Sequence, residues 1–209
     1  MACSLACFLL CLVVPASGTR AFNDGTELRA ALVAWEEGQT SSLVAKYGEI
    51  EQWDVSRVTN FSSLFEDLAS FNEDIGHWDT SAVTTMTRAF SGALAFNQPI
   101  ASWNMSQVTD MSWMFYNAKA FNQPIGRWDT SQATDMQYMF EDAVSFNQPV
   151  GAWNTSSVTS MKNMFHKARA FNQGIDAWDV SHVTDIAGMF DGALAFNQPL
   201  SSARGIHRL

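Results

Sequence analysis

Cysteine is nearly absent from this chain: the three in 209 residues, Cys3, Cys7 and Cys11, all lie in the first eleven positions. Disulfides, thiolate metal sites and cysteine nucleophiles are therefore excluded from everything that follows. Cations are scarce as well, with 12 Lys and Arg against 21 Asp and Glu, a net charge of −9. Phosphate surfaces are held by clustered Lys and Arg, so no nucleic-acid partner and no membrane insertion of the mature domain is expected. Charged residues make up 16% and hydrophobic ones 47%, a balance too apolar for disorder and sufficient for a continuous core. The four histidines, His77, His166, His182 and His207, occupy unrelated places, and no HExxH, nucleophile elbow or phosphate loop accompanies them. Neither an enzyme nor a cofactor or metal site is expected.

The amino terminus, MACSLACFLLCLVVPASG, is an apolar run closed by Pro15 and the small residues Ala16, Ser17 and Gly18. It resembles a secretory signal peptide ending at Gly18, and it is short for a membrane span. A secreted or cell-surface protein is the expectation, with residues 1–18 as leader and 19–52 as an N-terminal capping region. In that region Leu28, Leu32 and Trp35 share a helical face, with Asp24 or Thr26 as the N-cap candidate.

What the chain has in abundance is repetition. Trp53, Trp78, Trp103, Trp128, Trp153 and Trp178 stand 25 residues apart. A fixed period of this size marks one unit copied and stacked, because a single copy cannot bury its own apolar face. In the unit that begins at Trp103, Met111, Met114, Phe115 and Ala118 are spaced as one face of a short helix, with Thr109 as its N-cap. Pro124 ends that helix, and Ile125 to Thr130 reads as a short strand that stacks in parallel on its copies. Residues 53–200 thus form the repeat region. The tail, 201–209, is irregular and has Ala203 where a seventh Trp belongs, as an open or truncated array would.

The skeleton W-[DN]-x-S-x-[VA]-T-x-[MFI]-x-x-x-F followed by F-N-Q-P-I resembles the BspA-type leucine-rich-repeat surface proteins, from Trp53 to Leu200. That resemblance implies an α/β fold: a right-handed leucine-rich-repeat-like solenoid of six 25-residue units, each a short parallel strand plus a short helix, with an N-terminal capping helix. It also implies adhesion or protein binding at a cell surface and offers no general catalytic site.

Within the units, the six tryptophans read as a core column. Asn72, Asn97, Asn122, Asn147, Asn172 and Asn197 read as a buried amide ladder that satisfies backbone groups. Asp54, Asp79, Asn104, Asp129, Asn154 and Asp179 follow each Trp and would line the outer strand face, either as a binding surface or as local caps of the next turn. His77 and Arg127 vary from copy to copy, as contact positions do. Asn60, Asn104 and Asn154 head sequons and are glycan acceptors in a eukaryotic secretory pathway. The expected function is a non-catalytic recognition or adhesion solenoid that binds an extracellular protein or glycan through the strand face. The alternatives are a surface-coat module without a ligand and, behind it, a cation-binding or hydrolytic domain.

Overall fold

The computed structural model describes residues 20–200; the expected leader, its cysteines and the tail 201–209 lie outside the described residues. Two helices come first, α1 (Gly25–Glu36) and α2 (Thr40–Tyr47), followed by a 3-10 turn at Ile50–Gln52. Asp24 is the N-cap of α1, and its carboxylate accepts the Glu27 N–H at 2.9 Å. Leu28 and Leu32 turn inward, and Phe22 stacks on Tyr47 at 4.2 Å and packs beside Trp53, so the helices close over the first repeat.

The six repeats contain neither a helix nor a strand among the described residues. The leucine-rich-repeat α/β solenoid, with its strand and helix in every unit, is thereby overturned, and the backbone hydrogen bonds give the reason. In the segment read as a helix, N–H groups alternate between two kinds of acceptor. Met111, Trp113, Phe115 and Asn117 donate to Asp135, Gln137, Met139 and Glu141, 24 residues ahead. Met114, Tyr116 and Ala118 donate to carbonyls three residues back. Trp113 and Asn117 have φ of 60° and 55°, which no right-handed helix tolerates. The result is a run of overlapping turns, two of them with positive φ at the third residue, as type II geometry requires.

The segment read as a strand is also a turn, because the Trp128 N–H goes back to Ile125 O at 3.2 Å and is unavailable to a neighbouring strand. Among the described residues, parallel pairing runs through single-residue bridges, Asn60 to Thr85, Asp110, Asp135, Ser160 and Asp185 in succession. Each 25-residue unit is therefore one coil of turns laid against the next.

Side chains complete the contact between coils. The indole Nε1 of Trp78, Trp103, Trp128, Trp153 and Trp178 donates to the carbonyl of Ile50, Ile75, Ile100, Ile125 and Val150, at 2.9–3.1 Å. Trp53, which has no coil before it, turns to Gly48 O. Phe65, Phe90, Phe115, Phe140 and Phe165 form a nearly parallel column with centroid spacings of 4.6–5.5 Å. A second column runs through Phe71, Phe96, Phe121, Phe146 and Phe171 at 6.0–6.3 Å. Such ring pairs contribute about 0.5–1.5 kcal/mol each beyond their area burial.

The first coil has no preceding coil to serve its carbonyls, and Arg29 of α1 takes over part of that role. Its guanidinium donates to Leu64 O at 2.9 Å and to Glu66 O at 2.6 Å, the positions whose equivalents one coil later, Ala89 and Ser91, accept Phe65 and Asp67 N–H. Gly25 makes the approach of α1 feasible, since a Cβ there would lie 2.3 Å from Asn60 O.

Two stability predictions follow from these contacts. Arg29→Met, which keeps the stem and removes both donors, should cost about 2–3 kcal/mol in chemical denaturation, the loss of two charge-assisted bonds. Trp128→Phe should cost about 1–3 kcal/mol, because it leaves a small void and removes the indole bond to Ile100 O, which then keeps only the Trp103 N–H. Equal stability of either variant and the parent would remove that contact from the account.

Candidate functional site

The residues assigned to an outer strand face do not make one. Each instead caps its own turn: Asp54, Asp79, Asn104, Asp129, Asn154 and Asp179 accept the N–H of the serine two residues on at 3.0–3.1 Å. Hydrogen bonds from Ser81 and Ser131, side chain first and backbone second, hold the Asp79 and Asp129 carboxyls below the usual range. Binding through a strand face, and with it the recognition or adhesion solenoid and its surface-coat and cation-binding alternatives, is overturned, since no such strand exists among the described residues. Nor do the described residues contain three or more His, Cys, Asp or Glu grouped to hold a metal.

His77 and Arg127 are both exposed and are not brought together. Arg127 borders a shallow groove between Pro124 and Pro149, and His77 lies in a separate depression beside Asp74. The sequon residues Asn60, Asn104 and Asn154 are exposed, each with its Oδ1 engaged by the N–H of its own serine. The other Asn column is a ladder, half-buried over most of its length. Asn97, Asn122, Asn147, Asn172 and Asn197 each donate a backbone N–H to the Oδ1 of the Asn one coil earlier at 2.8–2.9 Å. Gln98, Gln123, Gln148, Gln173 and Gln198 brace it from the side.

Three groups escaped the reading of the sequence. Buried Thr80, Thr130 and Thr155 donate their hydroxyls to the carbonyls of Asn104, Asn154 and Asp179 in the next coil. His166 Nδ1 meets Glu141 Oε1 at 2.8 Å, and Glu141 Oε2 is buried without a partner. The third group carries the most surface chemistry. Ser63, Arg88, Trp113, Tyr138, Asn163 and Gly188 occupy one slot in successive coils, all with φ between 52° and 67°.

In that slot the middle members are large. The Trp113 and Tyr138 rings stack at 3.9 Å, Arg88 lies 4.7 Å over the other face of Trp113, and Tyr116 meets the Trp113 edge at 5.1 Å. All four are half-buried. The Trp113 indole N–H and the Tyr116 and Tyr138 hydroxyls have no hydrogen-bond partner among the described residues, and none of the three is sealed from water. One signal could have exposed the group: Trp113 stands out of phase with the six repeat tryptophans.

No curated protein and no solved structure matches the chain. A protein family of unknown function does, over residues 38–148 and again over 123–204, and it takes the place of the BspA-type leucine-rich-repeat resemblance. The first of those matches alone spans more than half of the 209 residues, and the chain belongs to the family described as Mycoplasma protein of unknown function, DUF285.

Proposed function

We propose that this is an exported, non-catalytic protein that binds an extracellular polypeptide at the ring cluster of Arg88, Trp113, Tyr116 and Tyr138. The observation that carries the reading is that Trp113 and Tyr138 hold φ of 60° and 59° at the surface. A bulky residue in that region costs about 1–2 kcal/mol, whereas glycine occupies it freely. Gly188 sits in the same slot of the last coil, so the turn itself has no need of an aromatic residue. Large aromatic residues in two successive coils, at a slot that glycine fills and only half-buried there, mark a place of use.

The chemistry favours a protein over a glycan. A sugar ring stacks on an open aromatic face, but Arg88 and Tyr138 already cover the two faces of Trp113. What is offered outward is ring edge, one indole N–H and two phenol hydroxyls, from the residue types that dominate the energetics of protein interfaces. Export is supported by the leader-like residues 1–18 and is compatible with the absence, among the described residues, of any helix long and apolar enough to cross a membrane.

The double substitution Trp113→Asn and Tyr138→Asn separates use from architecture, because asparagine tolerates positive φ. The variant should melt at or above the parent's temperature while losing at least about tenfold in affinity in a binding array of extracellular proteins from the source organism. Undiminished binding by the variant, or no saturable binding by the parent, would defeat the proposal.

A further inference from the structure

The two coils that carry the stacked rings are also the two that set carboxylates side by side. Asn60, Thr85, Asp110, Asp135, Ser160 and Asp185 are the bridged residues of successive coils, and among them only Asp110 and Asp135 are neighbouring acids. They stand three residues before Trp113 and Tyr138 and are built into the same turns. Asp110 Oδ1 accepts the Ser112 N–H at 2.8 Å and Asp135 Oδ1 the Gln137 N–H at 2.9 Å, each immediately before its ring. Neighbouring parallel segments lie about 4.7–4.9 Å apart, and like charges placed opposite each other destabilise the pair.

The turns have no need of that charge, because neutral Asn60 caps the Ser62 N–H in the same slot at 2.7 Å. Nor is the charge balanced within the molecule. Among the described residues neither carboxylate forms an ion pair: Arg88 is drawn to Glu66 at 3.3 Å and Lys162 to Asp185 at 4.0 Å. Burial above all, with the Asp110 charge adding to it, holds the Asp135 carboxyl above its usual range despite the bonds from Gln137. Both acids are half-buried and still reach solvent.

We infer that the polypeptide bound at the ring cluster presents a basic segment, whose lysine or arginine side chain seats against Asp110 and Asp135 while its neighbours cover the rings. The inference rests on the ring cluster as the binding surface and adds the chemistry of what binds there. An acidic or neutral segment would leave the repulsion in place, whereas a cation relieves it and supplies donors to both carboxylates. A second copy of this chain, at a net charge of −9, would add to it.

Asp110→Asn combined with Asp135→Asn keeps both caps and removes the charge. Asp79→Asn with Asp129→Asn removes the same charge from the column in which Asn104 and Asn154 already cap, and serves as the control. An extracellular protein that the Trp113→Asn, Tyr138→Asn variant fails to bind should bind the first variant at least about tenfold more weakly at low ionic strength, and the control within about twofold of the parent. Full binding by the Asp110 and Asp135 variant, beside loss by the ring variant, overturns the inference and leaves the ring cluster standing; full binding by the ring variant removes both. A defined probe needs no natural partner. A decapeptide of alternating lysine and glycine should saturably shift the Trp113 indole N–H resonance of the full chain and lower the titration midpoint of the Asp135 carboxyl, since a nearby cation favours the ionised form. A decapeptide of alternating serine and glycine should do neither. Equal response to the two peptides, or none to either, would likewise overturn the inference.

Discussion

The fold depends on how each coil divides its backbone donors. In the first five repeats, alternate N–H groups close turns within the coil while the others reach the next one. This division satisfies the main chain without helix or sheet, and it explains why nine non-glycine residues are held at positive φ. A helix would send all of those donors backward along its own axis, and a strand would send them sideways in both directions. A chain of turns can do some of each, and 25 residues then suffice for one coil.

The side chains reinforce that division. Each indole reaches a carbonyl in the preceding coil, each Asn Oδ1 serves an N–H in the following coil, and the phenylalanine columns fill the space between. These contacts span neighbouring coils, so little of the stability resides in one repeat and the ends must be treated specially. At the amino end that treatment is α1, with Arg29 supplying two of the missing donors.

The spacing of buried positions was legible in the sequence, and the type of element was not. Met111, Met114, Phe115 and Ala118 do face inward, each fully buried. Overlapping turns with every second pair of residues inward reproduce the three-one-three rhythm of a helix, and only the backbone tells the two apart. The positive φ at Trp113 and Tyr138 had no signal of its own, because glycine or asparagine is the residue type that announces such a turn. The Asp and Asn residues after each Trp carried two readings in the sequence, and the serine two positions on decides in favour of the cap. Arg29 was unreadable, since a lone arginine on an amphipathic helix looks like a solvated residue until the carbonyls facing it are seen.

Four N–H groups per coil reach backbone carbonyls of the next coil, whereas only one or two reach backbone carbonyls of the preceding one and one or two more end on its side chains, so the backbone-paired peptide dipoles add along the stack instead of cancelling as they do in a sheet. The molecule therefore has an electrical polarity resembling that of a single thick helix, but running the opposite way with respect to the chain: negative where it enters and positive where the last coil stops. Arg29 sets a cation against carbonyls at one end, and Asp185 and Asp191 set carboxylates in the last coil at the other.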